Sequence, residues 1–176
     1  MRRKAKEVNF GIMYGIGPFG LANRLEISQS EAKEIIQRYF ERFPKVKQYI
    51  NDTLDSARRK GYVSTLLGRR RYLPDLNSKN FAVRSNAERQ AINMPIQGTA
   101  ADMIKLAMIG IDEELHGRNA KGKMLLQVHD ELVFEVPMSE VETTKKVVIE
   151  KMTNALKLDV PIVVEVGSGK NWLEAH

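Results

Sequence analysis

Two short apolar runs, Lys123-Met124-Leu125-Leu126-Gln127-Val128 and Leu132-Val133-Phe134-Glu135-Val136, stand on either side of the polar triplet His129-Asp130-Glu131. Two strand-length runs about a polar break predict an antiparallel hairpin with two carboxylates and an imidazole at its tip. Adjacent carboxylates repel, which is tolerable in solvent or beside a divalent cation. Oxygen ligands of this kind suit magnesium better than zinc. Most polar hairpin tips are only turns, and a lone histidine such as His129 more often makes a hydrogen bond than a metal bond. Here the eleven largely apolar residues of the two arms are expected to be buried and to hold the tip firmly.

The rest of the chain is punctuated for helices. Arg2 to Tyr14 reads as one helix, ended by Gly15 and Gly17-Pro18. Ser28-Gln29-Ser30-Glu31 is a capping box, and the helix it opens carries Ala32, Ile35, Ile36, Tyr39, Phe40 and Phe43 at helical spacing. Pro44 suits the first turn of the next helix, which runs to Lys60 and stops at Gly61. Tyr62–Leu66, Gly68 and Arg70–Leu73 predict a second hairpin, closed by Pro74. A helix is expected over about Phe81 to Asn93, broken by Pro95 and Gly98, with a new one opened by Thr99 and Asp102 towards Leu115. A helix near Ser139–Leu156 and a strand at Pro161–Val166 complete the pattern, and the final strand is expected to share an antiparallel sheet with the hairpin. The fold class is therefore helix-rich α+β.

Composition sets bounds on function. Hydrophobic residues make up 43% and charged residues 28%, as in an ordinary globular chain. No run approaches the roughly 18 apolar residues of a membrane span, and the glycine-interrupted N-terminus lacks a signal-peptide core. The absence of cysteine excludes disulfides and thiolate chemistry and fits a cytoplasmic setting. Residues 1–71 hold 16 Lys+Arg against 7 Asp+Glu, a net of +9; residues 72–176 hold 12 against 15, a net of −3. The basic excess lies where a polyanion would be attracted, although solvated helix faces would give the same balance.

Arg2, Arg3, Lys6, Phe10 and Tyr14 fall within about a third of the circumference of the first helix, at about 100° per residue. Cations come first, one aromatic follows a turn later and another a turn after that. A triphosphate needs several positive groups, and a base or sugar needs a flat apolar surface to lie on. An amphipathic helix with a basic start and two core aromatics has the same pattern. Cations at a helix N-terminus oppose the dipole, however, and that mild cost favours a function for them.

Arg2-Arg3-Lys4-Ala5-Lys6-Glu7-Val8-Asn9-Phe10-Gly11-Ile12-Met13-Tyr14-Gly15 resembles motif B of the family A DNA polymerases, the group of bacterial DNA polymerase I. Gln127-Val128-His129-Asp130-Glu131 resembles the same family's motif C. Gly61-Tyr62-Val63 with Gly68-Arg69-Arg70-Arg71-Tyr72, and Asn93-Met94-Pro95-Ile96-Gln97-Gly98-Thr99-Ala100-Ala101-Asp102, are similar to further family segments in the same order. The resemblance implies fingers helices over residues 1–60 and part of an antiparallel palm sheet over 61–176, with the catalytic hairpin near 123–136.

It also implies roles. Arg2 and Lys6 would grip the incoming deoxynucleoside triphosphate, with Arg3 as a basic helper; Phe10 would pack on its sugar and base, and Tyr14 would stack at the template position. Asp130 would be one of two aspartates carrying the catalytic Mg2+ ions, with Glu131 as an accessory carboxylate. His129, Arg89, Asn93 and Gln97 would contact primer–template DNA. Plainer roles stand beside these: Asn93 and Gln97 flank Pro95 and would satisfy a helix break, and Arg89 would pair with Glu88 or Asp102. Motif A, with the other metal-binding aspartate, has no counterpart in the sequence. The metal site is expected to be half built, the chain inactive alone, and an upstream polymerase segment its natural partner. A single-subunit RNA polymerase fragment, a non-catalytic nucleic-acid-binding module and one half of a split polymerase are the competing readings.

Overall fold

In the computed structural model of this chain, residues 2–175 are described, with side chains from 5–175. Contacts divide the chain into two compact units, residues 1–99 and 100–176.

The first unit begins with α1 (Arg2–Met13), α2 (Pro18–Leu25), α3 (Gln29–Arg42) and α4 (Pro44–Lys60). Their ends follow local chemistry. Ser28 and Glu31 form the expected capping box: the Ser28 hydroxyl accepts from the Glu31 N–H at 3.2 Å while the Glu31 carboxylate accepts from the Ser28 N–H at 3.0 Å. The Ser28 N–H and then the Ser28 hydroxyl, which also donates to this carboxylate at 2.8 Å, hold the exposed Glu31 carboxyl below its ordinary pKa. Pro44 occupies the first turn of α4, and Gly61 ends that helix with a φ of 75°, which glycine adopts without steric cost. Leu21, Ala22, Leu25 and Ala32 form one small core, with Val8 and Ile16 packed against it.

The short hairpin β1 (Tyr62–Ser64) and β2 (Arg70–Tyr72) follows as expected, paired antiparallel with Tyr62 opposite Tyr72 and Ser64 opposite Arg70. Val63 and Leu73 pack with Ala57, Leu76, Ala87 and Ala91 into a second core.

The expected helix break at Pro95 and Gly98 does not occur: α5 runs without interruption from Phe81 to Gly117. Proline in a helix interior removes one N–H donor and costs about 3 kcal/mol. One contact from α4 and one within α5 itself offset part of this. The Tyr49 hydroxyl on α4 donates to the Ile92 carbonyl at 3.0 Å, and the Thr99 hydroxyl donates to the Pro95 carbonyl. Each such bond contributes about 1 kcal/mol net, so the remainder must come from packing of the buried Ala87, Ala91 and Ile92 face. Gly98 fits because Thr65 crosses there: a Cβ on Gly98 would sit 2.7 Å from Thr65 Cγ2.

In the second unit, the last turns of α5 pack Ala107, Ile111 and Leu115 against Val147 and Val148 of α6 (Val141–Thr153). Met124 of β3 (Lys123–Val128) and Leu132 and Phe134 of β4 (Glu131–Glu135) close this core. The two strands pair antiparallel, with Leu125 displaced from register between Met124 and Leu126. Leu125 and Leu126 are 52% and 44% exposed, so the arms are less covered than the sequence suggests.

A second correction concerns the sheet. The described residues hold two separate two-stranded sheets, and Pro161–Val166 is not a strand. Val163 in that segment is 80% exposed. Its apolar content suits a strand, but strand structure is realised only when another strand pairs with its backbone. The terminal α7 (Trp172–Ala175) is a single turn. No helix among the described residues is long and apolar enough to cross a membrane.

Candidate active site

The expected residues fall on three pieces of the chain: α1, the first half of α5, and the β3–β4 turn. On α1 the side chains of Arg2 and Arg3 lie outside the described residues. The other three form a continuous row. The Lys6 ammonium lies 5.8 Å from the Phe10 ring centre, and the Phe10 and Tyr14 rings are 6.1 Å apart, tilted by 36°. Phe10 is 45% exposed, which removes the reading of this ring as a core residue. The opposite side of α1 is the buried one, through Gly11 and Ile12.

Two features fix that row. The Tyr39 hydroxyl on α3 donates to Asn9 Oδ1 at 2.9 Å. At the C-terminus the Gly15 N–H bonds the Ile12 carbonyl and the Ile16 N–H bonds the Gly11 carbonyl, the paired bonds of a Schellman end. Gly15 has a φ of 76°, and a Cβ there would meet Ile92 Cδ1 at 3.2 Å and Arg89 Cγ at 3.5 Å. The end of the aromatic row thus lies beside Arg89 of α5.

Arg89 does not pair with Glu88, whose carboxylate is held by Arg58 at 2.6 Å. Its guanidinium instead bonds Ser85 Oγ and Asn86 Oδ1 on its own helix. Asn93 follows one turn later, and its Oδ1 is buried without a hydrogen-bond partner among the described residues. An unsatisfied buried acceptor costs about 1–3 kcal/mol. Gln97, a further turn on, is exposed.

In the second unit, His129 and Asp130 form the two-residue turn of the hairpin and Glu131 begins β4 opposite Val128. His129 has a φ of 54°, a left-handed conformation uncommon outside glycine. The Gln127 side chain braces it by donating from Nε2 to the His129 carbonyl at 2.8 Å. Asp130 is exposed at the tip and Glu131 is half-buried. Carboxylate oxygens match Mg2+ in kind. In number they are short, because no group of three or more His, Cys, Asp or Glu that would enclose a metal occurs among the described residues. Asp130 and Glu131 fit as one side of such a site.

Sequence reading did not find Asn9, Gln127 or Tyr49, which brace the expected residues; each acts through a partner that spacing does not reveal. Two surface clefts, of about 330 Å³ around Glu114 and Lys151 and about 280 Å³ around Tyr49 and Tyr62, include none of the expected site residues. Around the first, hydrogen bonds from Arg118 and then Lys151 hold the Glu114 carboxyl below its ordinary pKa, an arrangement of surface ion pairs.

The family model for DNA polymerase family A matches residues 1–174. The chain belongs to DNA polymerase family A. Among curated relatives, it is 55% identical over 174 residues to DNA polymerase I of Streptococcus pneumoniae and 53% identical over 175 residues to DNA polymerase I of Bacillus subtilis. Each alignment covers 99% of this chain, and the chain spans 20% of the length of these relatives. Its fold matches a solved structure of the POL domain of Pol1 from M. smegmatis in complex with DNA primer-template and dNTP. That match has a TM-score of 0.96 at 50% identity, over 99% of this chain and 31% of the other. The helix-rich α+β architecture is thus that of a segment of a family A polymerase domain.

Proposed function

We propose that this chain supplies the nucleotide-gripping helix and one carboxylate arm of the metal site of a DNA-directed DNA polymerase, in replication or repair. The observation that carries the proposal is the row Lys6–Phe10–Tyr14, a cation followed by two adjacent tilted aromatics on one helix face, with Lys6 and Phe10 exposed and Tyr14 half-buried. Family membership and likeness to a polymerase domain bound to primer-template and dNTP support it.

The reaction is transfer of a nucleotidyl group to a primer 3′ hydroxyl. Lys6, helped by Arg2 and Arg3, holds the triphosphate through charge-assisted hydrogen bonds. Phe10 offers a flat surface to the sugar and base, and Tyr14 offers one to the template base, beside Arg89. Asn93, Gln97 and His129 offer polar side chains to the primer–template. Mg2+, when bound, promotes ionisation of the 3′ hydroxyl and neutralises charge on the transferring phosphate. Asp130 and Glu131 supply carboxylate oxygens for it. Residues 1–60 then act as fingers and 61–176 as palm, and an upstream segment supplies the remaining carboxylate.

The test is primer extension by this chain, alone and joined to the upstream polymerase segment of a relative. The chain alone should extend no primer. In the joined protein, Lys6→Ala should raise KM for the incoming nucleotide about tenfold, the worth of one charge-assisted bond. Magnesium-dependent extension by the 176-residue chain alone, or an unchanged KM in Lys6→Ala, counts against the reading.

A further inference from the structure

We infer that the outer face of the β1–β2 hairpin is a stacking platform for an unpaired nucleic-acid strand. Strand pairing puts Tyr62, Tyr72, Ser64 and Arg70 on one face and Val63 and Arg71 on the other. The Tyr62 and Tyr72 rings are 5.6 Å apart, and the Arg70 guanidinium lies over Tyr62 at 4.6 Å from its centre. Tyr72 is 68% exposed. Among the described residues no ion pair takes Arg70, which shares the Tyr62–Tyr72 face. Cross-strand aromatic pairs help hold a hairpin together, but only by a few tenths to about 1 kcal/mol, and they do not require an exposed ring beside an arginine on the same face.

The platform is held rigidly from behind. Val63 and Thr65 are buried, and Arg71 Nη2 donates to Gln90 Oε1 of α5 at 2.8 Å. The Leu66 N–H donates to Thr99 Oγ1 at 3.1 Å, and Thr65 lies against Gly98. The hairpin is thereby pinned to α5 at both ends, so little conformational freedom remains to be lost on binding.

A flat exposed ring with the Arg70 cation on the same face fits a polyanion whose bases are free to stack. A duplex fits less well, because its bases are already stacked on one another. The polymerase reading is needed only to say which strand this is, namely template not yet copied; binding itself follows from the hairpin.

The experiment uses the 176-residue chain, without magnesium, and a labelled oligothymidylate of about 12 nucleotides followed by anisotropy. Tyr72→Ala and Arg70→Ala should each weaken binding about tenfold, the order of one lost base–aromatic stack. Tyr72→Phe should stay within about twofold of the parent, and binding to a blunt duplex should change less than about twofold in all three. No binding by the parent overturns the inference. So does parent-like affinity in either alanine variant, or equal losses on duplex and single strand. Failure here leaves the Lys6→Ala test untouched, so the two readings fail separately.

Discussion

The Tyr49 hydroxyl donates a 3.0 Å hydrogen bond to the Ile92 carbonyl, three residues ahead of Pro95. This contact helps a proline-bearing helix run unbroken under Arg89, Asn93 and Gln97. Tyr49→Phe keeps the ring and removes the bond, so urea unfolding should show a loss of about 1 kcal/mol. Burial raises the Tyr49 phenol above its ordinary pKa, against a smaller opposing effect of its bond with Thr53. The folded state therefore holds the proton more tightly than the unfolded state. The corresponding stability is complete below the unfolded value of about 10 and is lost as pH rises through the folded one. The phenylalanine variant should lose less stability than the parent above about pH 10. An identical alkaline loss would detach Tyr49 from this role.

Gly98 is the second support of that helix. Alanine is favoured over glycine in a helix by about 1 kcal/mol, which alone would stabilise a Gly98→Ala variant. The new methyl would meet Thr65 Cγ2 at 2.7 Å, and Thr65 is buried with its hydroxyl accepting from the Arg69 N–H. Overpacking of that kind costs about 1–3 kcal/mol, so the net expectation is a lower melting temperature. A rise in melting temperature would show that the hairpin is free to move away from α5.

These two positions explain what the sequence could reveal. Signals that act within one turn were legible: Ser28 with Glu31, Pro44, and Gly15 and Gly61 at helix ends all do what their neighbours dictate. The row Lys6, Phe10, Tyr14 was legible because four-residue spacing alone puts those side chains on one face. Pro95 and Gly98 were misread as a break because the groups that accommodate them, Tyr49 and Thr65, lie more than a helix away in the chain. Pro161–Val166 was misread because strand pattern is necessary but not sufficient without a partner. The buried, unpaired Asn93 oxygen and the Gln127 brace on the His129 carbonyl have no sequence signature at all.

Phe10 tests the sugar side of the proposed site. Its ring is 45% exposed, so a hydroxyl added at its edge meets solvent or ligand instead of core. Phe10→Tyr in the completed polymerase domain should leave melting unchanged and raise use of dideoxynucleotides relative to deoxynucleotides. The added hydroxyl takes the place of the missing 3′ hydroxyl and recovers a bond of about 1 kcal/mol or more. Competition between the two nucleotide types measures this directly. An unchanged ratio would move the sugar away from Phe10.

The most direct test of the whole account is single-turnover nucleotide incorporation by the completed domain carrying Asp130→Ala. Asp130 is exposed at the two-residue turn, so its loss should leave the hairpin and duplex binding intact. The account predicts magnesium-dependent incorporation in the parent and a fall of more than about a hundredfold in the variant, at least ~2.7 kcal/mol of transition-state stabilisation. Incorporation within a few-fold of the parent, with the same response to magnesium, would contradict the assignment of this turn to the metal site.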